Sequence, residues 1–218
     1  MTHRNPLLAK LAVAALVAAA LSACGQTVEG APMLALPGEI VDAATVNGIL
    51  GVTLGNTTVD DAPPAEVEVS PSSCSAAAGP STSAVYADGW TRYHLVTMQE
   101  AADYWDHSVT QTVGRYADAD EASDVFDALA SGLQDCSGEV TSSDALDEVE
   151  STWRFDVTDD AKDSVAWTAT QVDADSEWAC FRQARLTGST VIQVAVCQVG
   201  NGAPAAAQLA DALVTKNT

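Results

Sequence analysis

Near its start the chain has an unbroken apolar run from Leu11 to Leu21, preceded by Arg4 and Lys10. A short cationic segment followed by eleven apolar residues predicts a secretory signal, because the run is too short to span a bilayer. Beyond it the apolar positions follow two periods. Val46, Ile49 and Leu50 share one face of a short helix that begins near Asp42 and ends around Gly51. Ala122, Val125, Phe126, Leu129 and Leu133 form the stripe of a longer helix ending at Cys136, with Asp118 as N-cap and Glu121 as its capping-box partner. A last helix starts near Pro204 and turns Leu209 and Leu213 inward. Elsewhere the pattern is that of strands. They are expected at about 90–98 and 107–116, at Trp153, Phe155 and Val157 alternating with Arg154 and Asp156, and at 164–172. Two more run from Trp178 to Leu186 and from Thr190 to Val199. Residues 55–83 are rich in Thr, Ser, Pro and Ala, with one short strand at Glu66–Val69, and Thr158 to Asp163 make an acidic turn. Many antiparallel strands with helices between and after them predict an α+β domain, an antiparallel β-sheet with packed helices.

The apolar leader ends in Leu21-Ser22-Ala23-Cys24, followed by Gly25. Small residues before the cut fit the narrow pocket of a signal peptidase. A cysteine at the first mature position supplies the thiol that takes a diacylglycerol in bacterial lipoproteins. Two or more acyl chains are what stable anchoring needs. The expected organisation is a lipoprotein signal peptide at 1–23, lipidated Cys24 with a tether at 24–38, and one folded domain at 39–218. The expected place is the extracytoplasmic face of the cell membrane, with the lipid anchor as the membrane partner.

Five cysteines are an odd number for an exported protein until Cys24 is assigned to lipid. The other four, Cys74, Cys136, Cys180 and Cys197, allow three pairings in an oxidising compartment. If Gly188-Ser189 forms a two-residue turn, with Gly at the first central position, opposed residues have numbers summing to 377. Cys180 and Cys197 then face each other in a non-hydrogen-bonded pair, with Cα atoms ~4.5 Å apart, close enough for a disulfide. Cys74 and Cys136 pair by elimination, tying a Pro-containing loop to the end of a helix. No Cys-x-x-Cys spacing supports a zinc site, so no metal and no cofactor are expected.

Charge narrows the partners. The leader holds two of the nine Lys+Arg and none of the thirty Asp+Glu, so the mature part has seven cations against thirty anions, a formal charge of −23. Such a surface repels nucleic acid, which is excluded as a partner. Its plain reading is solubility. His94 and His107 lie thirteen residues apart with no third clustered ligand and read as strand-end residues. Asp173 to Glu177 mimics the start of a calcium loop. Position six would be Trp178 rather than Gly and position twelve Ala184 rather than Glu, so the match fails. No serine sits in a Gly-x-Ser-x-Gly elbow and no cysteine is left to pair with a histidine, so no enzyme is expected.

Five of the seven mature cations, Arg92, Arg115, Arg154, Arg182 and Arg185, fall within expected strands. In the hairpin, Phe181, Ile192, Val194 and Val196 make the better core face. Trp178, Arg182 and Gln193 are left on the other, expected to be open and to hold an anionic or sugar-like ligand. The plainer alternative is that the arginines pair with the plentiful carboxylates.

The succession resembles a known family. Val46 to Gly51, Val69 to Cys74, Asp88-Gly89-Trp90, Val109 to Val113, the capped helix ending at Cys136, Trp178 to Ala184, and Val191 to Val194 before Cys197 carry the likeness. Together they resemble the PknH-like extracellular sensor domain family, the module of a mycobacterial serine/threonine kinase and of lipoproteins that carry it. The likeness runs from about residue 38 to the end. It implies a mixed antiparallel sheet with helices, two disulfides paired as above, and a cleft for an unidentified ligand. Unlike the kinases, these 218 residues are expected to hold no kinase domain and no transmembrane helix. Two functions follow as expectations: an extracytoplasmic sensor lipoprotein binding an unidentified small molecule, or an envelope interaction or structural lipoprotein that holds a cell-wall component without a small ligand.

Overall fold

The structure is a computed structural model, and it describes residues 36–104, 106–136, 138–143, 150–172, 174 and 177–218. The signal segment, Cys24, most of the tether and part of the acidic segment at 173–177 lie outside the described residues. In chain order the elements are α1 (Ala43–Leu50), β1 (Asn56–Asp60), β2 (Glu68–Ser70), α2 (Ser75–Ala78), β3 (Arg92–Gln99), β4 (His107–Arg115) and α3 (Ala119–Asp135). Then come β5 (Glu139–Ser143), β6 (Glu150–Ala161), β7 (Ser164–Gln171), β8 (Trp178–Thr187), β9 (Thr190–Val199) and α4 (Ala203–Asn217). The nine strands form one antiparallel sheet in the order β1-β3-β4-β9-β8-β7-β6-β5-β2. This is the expected α+β class.

Local chemistry sets the helix ends. Asp42 caps α1 by accepting from the Thr45 N–H at 2.9 Å, and Gly51 ends it in the left-handed region at φ 74°. Asp118 accepts from the N–H groups of Asp120 and Glu121, each at 3.0 Å. Glu121 reaches back one residue further than a standard capping box, to the N–H of Ala117 at 3.2 Å. Gly202, just before α4, lies so close to the sheet that a Cβ there would meet Phe181 at 2.8 Å.

The cysteine hairpin has the expected register, with Cys180 opposite Cys197 and Thr187 opposite Thr190 across a turn containing Gly188 at φ 54°. Both disulfides have the expected pairing, Cys180–Cys197 with Cα atoms 3.9 Å apart and Cys74–Cys136 with 4.8 Å. Three elements depart from the expectation. β1 and β5 lie within segments not read as strands, and β6 runs on to Ala161 with a bulge between Val157 and Asp159, which shrinks the acidic turn to Lys162 and Asp163.

Helices cover both faces of the sheet, but on different halves. On the back face α1 and α4 pack over β3, β4, β9 and β8, burying Val46, Val96, Met98, Val109, Ile192, Val194, Val196, Leu209 and Leu213. On the front face α2 and α3 pack over β9, β8, β7 and β6, burying Phe126, Leu129, Leu133, Phe155, Val165, Trp167 and Ala184. Each such side chain contributes roughly 1.5–3 kcal/mol by leaving water. β9 lies under helices on both sides, so its residues from Thr190 to Val194 are buried without alternation. Two buried glutamines fix irregular chain to the sheet. Gln111 accepts from the N–H of Val41 at 2.9 Å and donates to its carbonyl at 3.1 Å, holding the segment before α1 to the back face.

Candidate functional site

Gln193 does on the front face what Gln111 does on the back. Its Nε2 donates to the Pro80 carbonyl at 2.7 Å and to the Tyr86 hydroxyl at 3.0 Å. Thr112 donates to Ser81 Oγ at 2.8 Å, and the Tyr93 hydroxyl donates to the Ser81 carbonyl. Tyr86 lies against the bare backbone of Gly114, where a Cβ would come within 2.5 Å of its ring. Burial pushes the Tyr86 phenol well above its ordinary value. Segment 77–86 is therefore fastened across the front face from β8 to β4.

This fastening overturns the expected open face. Gln193 is buried under the segment, and Arg182 is half-buried with Nη1 donating to the carbonyls of Ala77 at 3.2 Å and Ala78 at 3.4 Å. The two residues sit on one face as expected, but both hold the wall in place. The physical reason is that the sheet carries helices on both sides. The disulfide from Cys74 to α3 also forces residues 75–86 onto the same face as that helix. Trp178 is different. It lies one step beyond Cys180 on this face, opposite Val199, which is 55% exposed.

Strand pairing places an uncovered floor in front of the wall. One cross-strand row reads Thr58, Thr97, Thr110, Ala195, Arg182 and Trp167 from β1 to β7. The next reads Asn56, Gln99, Ser108, Cys197 and Cys180 from β1 to β8. Thr58 is exposed, whereas Asn56, Thr97, Gln99, Ser108 and Thr110 are half-buried. Among the described residues the side chains of these six make no hydrogen bond. Floor and wall meet as a ledge, with Arg182 in the inner corner and the position of Trp178 beyond the disulfide.

The uncovered half of the back face has other chemistry. Thr168 and Thr170 of β7 lie beside Arg154 and Asp156 of β6, an exposed pair 3.9 Å apart, with Glu139 of β5 and Glu68 of β2 further out. A shallow depression of about 230 Å³ lies at its edge, lined by Glu68, Val69, Ser70, Thr141 and Glu150.

The structure does not bring the histidines together. His94 lies between Asp61, with Nδ1 2.8 Å from its carboxylate, and Glu39, with Nε2 at 3.2 Å. His107 Nδ1 is 2.7 Å from Glu100. Burial acts to raise the Glu100 carboxyl, but the hydrogen bonds from His107 outweigh it and hold the group below its usual value. Among the described residues no three metal-type ligands converge. The ledge depends on β1, whose residues Asn56 to Asp60 include one aliphatic side chain, Val59, and so carry little strand signal.

The model of the PknH-like extracellular domain family matches residues 32–216. Among solved structures the chain is similar to the extracellular domain of PknH from Mycobacterium tuberculosis, with TM-score 0.69 and 25% sequence identity, over 81% of this chain and 93% of that chain. No curated protein matches the chain.

Proposed function

This chain belongs to the PknH-like extracellular domain family, and on that premise we propose that it is an extracytoplasmic lipoprotein, anchored through lipidated Cys24, whose domain binds a small ligand on the front-face ledge. The observation that carries the ligand reading is the floor itself. Polar side chains without hydrogen-bond partners among the described residues, on paired strands and against a fastened wall, are a preformed set of donors and acceptors. The position of Trp178 at the end of that floor adds an apolar surface for stacking. The domain acts as a binding module rather than an enzyme. An unbiased mass-spectrometric search for molecules co-purifying with the native lipoprotein tests this directly. One compound enriched in proportion to the protein is the expected result, and the reading fails if none is.

The anchor is supported by the order of cationic residues, apolar run, small residues and Cys24. Cys24→Ala is expected to release the protein from membranes while the domain stays folded. A variant that still fractionates with membranes would refute the anchor. The second reading, an envelope interaction or structural lipoprotein without a small ligand, draws on the open charged quarter around Arg154 and Asp156. That flat surface suits a macromolecular or cell-wall partner.

A further inference from the structure

Arg182 stands at the inner corner of the ledge with its hydrogen-bonding capacity only partly used. Nη1 serves the two carbonyls at the end of α2, a common role for a cation at a helix C-terminus. Nε is buried with no acceptor among the described residues. Nη2 makes no bond among those residues either and reaches solvent. No carboxylate lies within ion-pair distance among the described residues, in a chain that carries thirty Asp+Glu. Burial lowers the guanidinium to about 10, which leaves it cationic at neutral pH.

Directly opposite on β7 stands Trp167, whose Nε1 is likewise buried with no acceptor. Two N–H donors on paired residues therefore both lack an acceptor. Leaving a buried donor unmet is costly, and more so when it carries charge. Capping α2 explains Nη1 and leaves the other two unexplained. On its other side Arg182 is paired with Ala195, a small residue, and Ala195 with Thr110, whose hydroxyl makes no hydrogen bond among the described residues. A water can accept from an N–H but cannot neutralise the cation. An oxyanion does both.

We propose that this corner binds the oxyanion group, a carboxylate or a phosphate, of a molecule lying on the ledge, an inference that rests on the ledge being the ligand site. Arg182 supplies Nε and Nη2, the Trp167 indole N–H is the second donor, and the floor hydroxyls take the rest of the molecule. The sign of the charge fits. Arg182 is the local cation of the ledge, and the anion enters against the repulsion of an acidic domain only where that cation is unpaired.

The test uses the full mature chain made soluble by Cys24→Ala. The Arg182 Nε–H and Trp167 Nε1–H signals are followed by ¹⁵N NMR during titration with inorganic phosphate and, separately, acetate. Sodium chloride at matched ionic strength is the control. Saturable movement of both signals with at least one of the two anions, abolished in Arg182→Met and weakened several-fold in Trp167→Phe, is expected. Should Arg182→Met fail to fold, Trp167→Phe carries the test alone; it removes the indole N–H together with part of a buried ring, so unchanged back-face amide signals are required as the check that the domain is intact. Movement with neither anion, or equal binding in the variants, overturns the proposal and leaves ordered water as the acceptor. The two readings fail differently. If a co-purified neutral molecule shifts Thr97 and Thr110 while both anions leave the corner unmoved, the oxyanion assignment fails and the ledge stands. Shifts on β6 in place of the floor sink the ledge itself.

Discussion

Among the described residues the sheet has two quarters uncovered by helices, one on each face, and they differ in what surrounds them. The front quarter carries Thr58, Thr97, Thr110 and Ser108 without a charge in those two rows before Arg182, and segment 77–86 closes one side. The back quarter carries Arg154, Asp156, Glu139 and Glu68, and the depression at its edge is shallow. Exposure alone does not make a site. The back quarter exposes its charges, with Arg154 and Asp156 paired, whereas the front quarter keeps buried donors at Arg182 and Trp167 with no acceptor among the described residues.

That difference requires damage to the wall to fall first on the front quarter. Breaking Cys74–Cys136 with paired serine substitutions is expected to have the largest effect. The bond closes a separation of 62 residues, worth about 4 kcal/mol in the chain-entropy model. The melting temperature should fall, and hydrogen exchange should quicken across 75–86 before it does in β6 and β7. Equal loss of protection in both regions would mean that the wall is not a separate unit. Cys180–Cys197 closes a separation of only 17, and breaking it should cost about 3 kcal/mol.

Gly114→Ala comes next. The added methyl meets the Tyr86 ring at 2.5 Å, so the ring and the wall behind it must shift, at about 1–3 kcal/mol. Lost ledge binding with an unaltered back quarter is the expected outcome, read by thermal melting and by the Tyr86 environment in near-ultraviolet circular dichroism. Gln193→Leu should act in the same direction, since it strips donors from Pro80 and Tyr86.

These residues show how much could be read from the chain. The hairpin register was legible because the turn and the period of two fix each opposed pair, and Cys180 opposite Cys197 confirms it. The capped helix at Asp118 was legible for the same local reason. The role of Arg182 was not. Which face of a strand is covered depends on elements far away, and α2 has only four residues, Ser75–Ala78, too few to show a helical period. One long-range clue was present. Pairing Cys74 with Cys136 brings 75–86 over the face packed by α3, so the side bearing Arg182 and Gln193 could not have stayed open. β1 escaped notice because only Val59 among its five residues points an aliphatic side chain toward the core.

Smaller effects sharpen the contrast. Glu100 is held below its usual carboxylate value by His107, so its contribution to the β3–β4 turn is present above its unfolded value. That contribution is lost as pH falls through the lowered folded value. Glu100→Gln should therefore flatten the acid limb of the stability curve slightly, as measured by urea denaturation across pH. The smallest effect belongs to the back quarter. Arg154→Ala removes an exposed pair at 3.9 Å and should change stability by less than about 0.5 kcal/mol.

The most direct measurement sets the two quarters against each other in the lipidated protein. Native protein, Thr110→Trp and Arg154→Glu are purified in parallel, and bound small molecules are identified by mass spectrometry. Thr110→Trp fills the floor of the ledge, and Arg154→Glu reverses a charge on the opposite quarter. The account predicts one enriched molecule on the native protein and on Arg154→Glu, and its loss from Thr110→Trp. Retention on Thr110→Trp together with loss from Arg154→Glu would contradict it and move the site to the charged face.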